Sequence, residues 1–553
     1  MKSDFSMLYF SIMLLVGYLT ILFRRMLFAT VLVNIISISI FSSNAASAEP
    51  IFIKQYVAEA SFGNDYVSQF YKNRNYDPFW LGNSVENDAR LQALIGALSD
   101  APMHGLPSSK FSFKRILSDT YGVSYNEKLG YLDVKLTLVF LEYARVMTTG
   151  VLIPEEIDKK IVRSDFYKKN VEFLNELDWS DPFETFKKLF PPSLEYRRLM
   201  KEKKRLDKVL LSGGWGAFIT SDELLVGERS SDVIMLRDRL VSMGYLSPTY
   251  STSYDLPLVN AVRSFQVDNG IHADGSANQS TLKLINVTVA ERLKSVLVAL
   301  ERERWSRTLG TNRHVIVNLT DFSAKIVDSG KVTFETKTVI GFDDFNRRSP
   351  EFSDILEFMV VNPSWYVPRS IVVQEYLPML KVNNNAVNFL ELRDDFGTII
   401  EASEIDFSNF DQKTFPYRMR QPPGVSNALG LVKFMFPNKN NIYLHDTPSK
   451  GLFDLDVRAF SHGCIRLSDP FGFAYTLLAA QSADPESLFR AALGSKKEIK
   501  IELEKPIPIH LIYRTAITRP GGGLEFRKDI YGRDAKIWAA LQAEGVVLVS
   551  VNG

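Results

Sequence analysis

The sequence predicts a multidomain α+β protein: a helical scaffold, a small three-helix domain, and a mainly β sandwich that carries an inserted lid. Three observations predict it. A chain of 553 residues exceeds what one hydrophobic core serves and implies three or four domains. Up to about residue 286 the apolar residues recur at steps of three and four, the helical period. From His314 onward, short apolar runs alternate with polar turns, the mark of strands.

Residues 1–48 form a targeting segment. Residues 5–23 are apolar enough to span a bilayer. Arg24-Arg25-Met26 then restarts the pattern, with an apolar core from Leu27 to Phe41 and Ala46-Ser47-Ala48 before Glu49, the layout of a secretory signal. Either translation begins near Met26 and the signal is cleaved after Ala48, the preferred reading, or residues 5–41 stay as a membrane anchor. Both place the body outside the cytoplasm.

Residues 49–220 read as a helical scaffold. Tyr76-Asp77-Pro78-Phe79-Trp80 is a turn with aromatic anchors, and Ala89 to Leu98 has helical spacing. Leu136, Val139, Phe140, Tyr143 and Met147 line one face of a further helix, which Gly150 closes before Pro154 opens the next. His104 fits a helix C-terminus better than a ligand, and the basic run Lys201 to Lys208 fits a solvated face.

Residues 228–286 carry three short helices. Ser231 caps the first, with Val233, Leu236 and Leu240 inward up to Gly244; the second holds Leu258, Val262 and Phe265; Asp274-Gly275 turns into the third. His272 is expected at the surface.

Residues 313–500 are the β region. Strands are expected at 314–319 and 324–327, joined by a turn, with Asp328-Ser329-Gly330 as the next hairpin signal, and further strands at 337–341 and 358–362. His314 opens a strand and reads as structural. Between about 371 and 420 the strand pattern breaks, and a structureless stretch of that length inside a compact domain tends to be functional. Residues 501–553 read as a stabilising C-terminal extension with His510 inert.

The chemistry gathers between Gln421 and Pro470. This stretch holds Cys464, the only cysteine in the chain, and two of the six histidines, His445 and His462. A lone cysteine excludes an internal disulfide and a multi-cysteine zinc site. A formal net charge of +1 argues against a nucleic-acid partner. A thiol needs a base, because its ordinary pKa of roughly 8.5 leaves a few per cent as thiolate at neutral pH. His462 lies two residues before the sulfur, and His445 ends the strand-like run Asn441-Ile442-Tyr443-Leu444; either can serve. Gly463 lets a carbonyl approach the amides of Gly463 and Cys464, natural oxyanion donors. Ser468-Asp469-Pro470 then reads as the cap of a helix through Ala480.

Ile442-Tyr443-Leu444-His445-Asp446 followed by Ser461-His462-Gly463-Cys464-Ile465-Arg466 resembles the signature of the L,D-transpeptidases of the YkuD type. Val361-Asn362-Pro363-Ser364-Trp365, Arg420-Gln421-Pro422-Pro423-Gly424 and Asn427-Ala428-Leu429-Gly430 resemble the large periplasmic YcbB-like branch. Residues 228–286 are similar to a peptidoglycan-binding domain, with Asn278 where that pattern often has a glycine.

The resemblance implies a cysteine acyltransferase that forms 3-3 cross-links between peptidoglycan stem peptides, without cofactor or metal. It makes Cys464 the nucleophile and His445 the acid-base histidine, held by the Asp446 carbonyl. His462 and Gly463 support the nucleophile loop, and residues 371–420 form a lid over the cleft. Ser461, Tyr443, Trp365 and Arg466 are substrate-binding candidates. Core packing remains the other reading of Tyr443 and Trp365, and a loop-pinning salt bridge that of Arg466. The alternatives to cross-linking are an L,D-carboxypeptidase or a protein-to-wall ligase using the same acylation, or a non-enzymatic wall-binding scaffold. Oligomeric state stays open.

Overall fold

The structure, a computed structural model, describes residues 49–118, 124–163, 170–306 and 312–549; the targeting segment lies outside them. The chain divides into two compact units, residues 1–82 with 120–134 and residues 83–119 with 135–553.

In the first unit, helices Glu49–Ser61 and Asp65–Asn73 lead to the aromatic turn. Buried Asp133 accepts hydrogen bonds from the backbone N–H groups of Phe79 (2.9 Å) and Trp80 (2.8 Å) and from the Tyr71 hydroxyl (2.6 Å). A turn cannot satisfy its own amides, so this carboxylate is what allows Phe79 and Trp80 to be fully buried.

In the second unit, helix Val85–Asp100 starts four residues earlier than its apolar spacing indicates, at a capping box formed by Ser84 and Asn87. Helix Tyr125–Thr149 stops at Gly150 (φ +95°), where a Cβ would stand 2.4 Å from Trp305 Nε1. Helix Leu194–Leu211 departs from a wholly solvated basic face: Lys203 is buried and paired with Asp207 at 2.7 Å. His104 is packed inside, with Nδ1 2.8 Å from the Tyr196 hydroxyl, and burial pushes its imidazole down to about 3.

Helices Ser231–Met243, Leu256–Asp268 and Gln279–Ile285 close the small module around Leu236, Leu240, Val262 and Phe265. The first is capped by Ser230 rather than Ser231. Asn278 is not in left-handed geometry; it is the N-cap of the third helix at φ −76° and accepts from Thr281 N. His272 is exposed.

The β region begins with β1 (His314–Asn318), β2 (Ser323–Asp328), β3 (Lys331–Gly341) and β4 (Phe352–Val361). Four short strands follow: β5 (Trp365–Tyr366), β6 (Glu391–Arg393), β7 (Ile399–Ile400) and β8 (Arg418–Gln421). Then come β9 (Val432–Met435), β10 (Leu444–His445), β11 (Ala459–Ser461), β12 (Ile465–Leu467) and β13 (Ile499–Ile512).

Nine of them form one sheet in the order β11-β3-β12-β10-β9-β4-β13-β1-β2, and β2 pairs again with β3. The expected sandwich is therefore a single sheet curled until its ends meet, around a core that includes Val317, Leu356, Phe434, Leu444 and Ile465. β13 lies inside that sheet, antiparallel to β4 and parallel to β1, so the β region runs past residue 500. Pro506 falls in its register shift between Glu502 and Ile507, where a missing N–H is tolerated. The His510 and His314 rings meet edge to face, 5.7 Å between centroids; both are structural, bonded to Ser353 Oγ and the Asn312 carbonyl.

The segment expected as an unstructured loop is a folded insertion. β5, β8, β6 and β7 make a second sheet over a separate core containing Val372, Leu380, Leu392, Phe407, Phe415 and Met419. Strands of two to four residues are too short to show alternation in sequence. The chain enters through Arg369–Ile371, a π-helical turn Val372–Tyr376 and helix Leu377–Val382. Pro378 lacks an N–H and crowds the turn before it, which accounts for the widened turn.

Candidate active site

Strand register assembles the site. β10 pairs with β12 at Leu444↔Ile465 and His445↔Arg466, and with β9 at Leu444↔Phe434 and His445↔Lys433. Paired residues share a face of the sheet, and Leu444, Ile465 and Phe434 are fully buried in the core. Lys433, His445 and Arg466 therefore leave from the opposite face, joined by Tyr443 and Cys464 two positions before His445 and Arg466. The Tyr443 and His445 rings lie 5.7 Å apart.

His445 Nδ1 is hydrogen-bonded to the Asp446 carbonyl. A carbonyl only accepts, so Nδ1 carries the proton and Nε2 presents a lone pair, the tautomer a general base needs. Asp446 is itself fixed: its carboxylate accepts from Leu431 N at 2.9 Å and pairs with Lys450 at 2.7 Å. Burial, with Arg466 and Lys433 alongside, pushes the imidazole down to about 3.

The Cys464 thiol donates to the Asn441 carbonyl at 3.6 Å. Asn441 adopts φ +52°, in a loop pinned by the Asn438 side chain, which donates to the Ile442 carbonyl at 2.8 Å. Burial pushes the thiol up to about 11, against the pull of Tyr443 hydrogen bonds and the Arg466 charge. Both shifts favour the neutral forms, thiol and imidazole, at rest.

Around the sulfur the loop is held by serines. Gly463 has φ +113°, which a side chain tolerates poorly. Its N–H donates to Ser461 Oγ at 3.1 Å, and the Ser461 hydroxyl donates to the Cys464 carbonyl at 2.5 Å. This corrects two expectations: Ser461 is buried and spent on the loop instead of facing substrate, and the Gly463 amide is already engaged by the Ser461 hydroxyl.

His462 turns away to the insertion, with Nε2 2.6 Å from Glu375 Oε1 in the π-helical turn. Among the described residues Arg466 has no carboxylate within 4.0 Å, so the loop-pinning salt bridge is absent, and its buried Nε lacks an acceptor. Tyr443 belongs to both readings: it packs against both the sheet core and the insertion core, and burial beside Cys464 pushes its hydroxyl pKa well up. Trp365 is buried in the insertion core, which supports core packing as its role.

Sequence reasoning missed Lys433, Glu375 and Asn441. Only Lys433 left a trace, as the one charge in Val432-Lys433-Phe434-Met435, whose alternation puts it opposite the core.

Comparison with known proteins gives three family matches. Residues 312–497 match the YkuD L,D-transpeptidase catalytic domain, residues 65–202 a "Scaffold domain", and residues 229–285 a "Putative peptidoglycan binding domain". A relative in Haemophilus influenzae, named "Putative L,D-transpeptidase", is 33% identical over 225 residues, 40% of this chain and 45% of the relative. The chain thus matches less than half the length of that relative. The crystal structure of an L,D-transpeptidase (residues 123-326) from Xylanimonas cellulosilytica covers 53% of this chain and 98% of its own at 13% identity. Its TM-score of 0.16 carries no argument about fold. Residues 312–497 are thus similar to the YkuD-type L,D-transpeptidase catalytic domain, and residues 229–285 to a domain described as a putative peptidoglycan binding domain.

Proposed function

We propose that this chain, with its L,D-transpeptidase catalytic domain at residues 312–497, cross-links peptidoglycan stem peptides through a thioester on Cys464. The observation that carries the reading is the single sheet face bearing Cys464, Arg466 and a His445 whose Nδ1 is tied to the Asp446 carbonyl.

The Cys464 proton passes to His445 Nε2 as the sulfur attacks the carbonyl at the L-centre of the third stem residue. The C–N bond to the terminal D-alanine breaks, and its nitrogen takes the proton from His445. A side-chain amine of a second stem then attacks the thioester, the C–S bond breaks, and the amine proton passes through His445 to the Cys464 sulfur, restoring the neutral pair. Covalent catalysis divides one hard step into two. Because thiol and imidazole are neutral at rest, proton transfer accompanies attack. The negative charge that develops on the carbonyl oxygen meets the Cys464 N–H. Lys433 and Arg466 make the face cationic, suited to a stem carboxylate, and Arg466 offers the bidentate geometry.

The insertion acts as a lid that keeps water from the thioester, with Glu375 and His462 as its contact to the nucleophile loop. The small module binds wall glycan, and the amino-terminal segment delivers the body to the periplasm, cleaved or kept as an anchor. Incubation with defined tetrapeptide muropeptides, read by mass spectrometry, tests this. Dimers joined 3-3 are expected, whereas tripeptides alone indicate a carboxypeptidase, and no turnover or adduct would overturn the acyl-transfer reading.

A further inference from the structure

The Gly463–Cys464 peptide is one rigid plane, and across a trans peptide C=O and N–H point in opposite directions. Whatever holds the Gly463 carbonyl therefore aims the Cys464 N–H. Ser349 holds it: its hydroxyl donates to Gly463 O at 2.7 Å while accepting from Gly341 N at 2.9 Å. Ser349 is fully buried, on the connection between β3 and β4, 114 residues from Gly463 in sequence.

Ser349 is in turn fixed from the C-terminal segment. Arg533, fully buried, donates to the Ser349 carbonyl at 2.9 Å. The Tyr531 hydroxyl accepts from Ser349 N at 3.3 Å and donates to the Gly341 carbonyl at 2.6 Å. The arginine charge is offset by Glu351, two residues past Ser349, at 3.1 Å. Ser349 and Tyr531 also hold Gly341, which pairs with Ser461 of β11 beside the same loop.

We propose that Ser349 is a positioning residue that orients the Cys464 amide toward the developing oxyanion, and that Tyr531 and Arg533 of the C-terminal segment hold it in place. The inference rests on the acyl-transfer reading above. It assigns the segment after residue 512 a part in the reaction, beyond stabilising the fold.

The test separates acylation from simple alkylation of the same sulfur in the full chain. In acylation by a carbapenem, the Cys464 sulfur bonds to the β-lactam carbonyl carbon, the ring C–N bond breaks, and the ring nitrogen takes the proton; an oxyanion forms on the way. Alkylation by iodoacetamide displaces iodide at a saturated carbon and forms none. Ser349→Ala is expected to slow carbapenem acylation about tenfold or more, since losing one oxyanion donor outright costs about 10²–10³, while alkylation stays within about twofold. Tyr531→Phe, which leaves the Gly463 contact in place, is expected to show the same selectivity to a smaller degree, and it carries the test if Ser349→Ala does not fold. Equal slowing of both reactions, or of neither, would overturn the positioning role. A wild-type protein that alkylates but never acylates would overturn the acyl-transfer reading and the role together.

Discussion

At the residue scale the site turns on two neutral groups. With the thiol pushed up to about 11, alkylation of Cys464 is expected to climb about tenfold per pH unit from pH 7 to 10, because only the thiolate reacts and its fraction grows until the pKa is reached. A rate that levels off near pH 8.5 would show an unperturbed thiol. Gly463→Ala is expected to cost about 1–3 kcal/mol of stability for a side chain at φ +113° and to abolish acylation, measured by denaturant titration and adduct mass. That Cys464 has two candidate histidine partners was legible, since His445 and His462 both precede the only cysteine in the chain. The choice between them was not, because only strand register sends His445 to the sulfur's face while Glu375 draws His462 to the insertion.

At the element scale, legibility followed strand and helix length. β1 and β2 run over five and six residues, largely apolar and buried, and were readable, as was the helix after Asp469-Pro470, which spans Pro470–Leu478 with the Asp469 carboxylate accepting from Gly472 N at 2.9 Å. The insertion was visible only as a break in pattern, its strands being too short and its core drawn from scattered positions. β12 was hidden as well, so the helix lies beyond a strand and its dipole does not reach the sulfur. Glu375→Gln is expected to speed hydrogen exchange across Arg369–Val382. It should hardly shift global stability, because a half-exposed pair contributes no more than about 1 kcal/mol. Exchange already as slow as that of β4 and β13, and unchanged in the variant, would contradict a lid.

At the scale of the whole molecule, buried histidines set the acid limit. Burial pushes His104 and His445 down to about 3 and His510 to about 4. Unfolding releases each to an ordinary value near 6.5, so below that pH the unfolded chain binds more protons and the folded state loses stability. Their contribution is complete above about pH 6.5 and is lost as pH falls toward 3; a thermal midpoint that held steady from pH 6.5 to 4 would contradict their burial as neutral groups. That a helical amino-terminal region precedes a β-rich one was readable from period. The role of the C-terminal segment was not, because β13 and the contacts of Arg533 join residues far apart in sequence.

The most direct measurement is the intact mass of the full chain, and of its Cys464→Ala variant, after exposure to a tetrapeptide stem without an acceptor. The account predicts a tripeptide-sized adduct on the wild type, released by hydroxylamine as a thioester is, and none on the variant. An adduct that persists in Cys464→Ala, or a wild type that turns the stem over without ever carrying one, would contradict it.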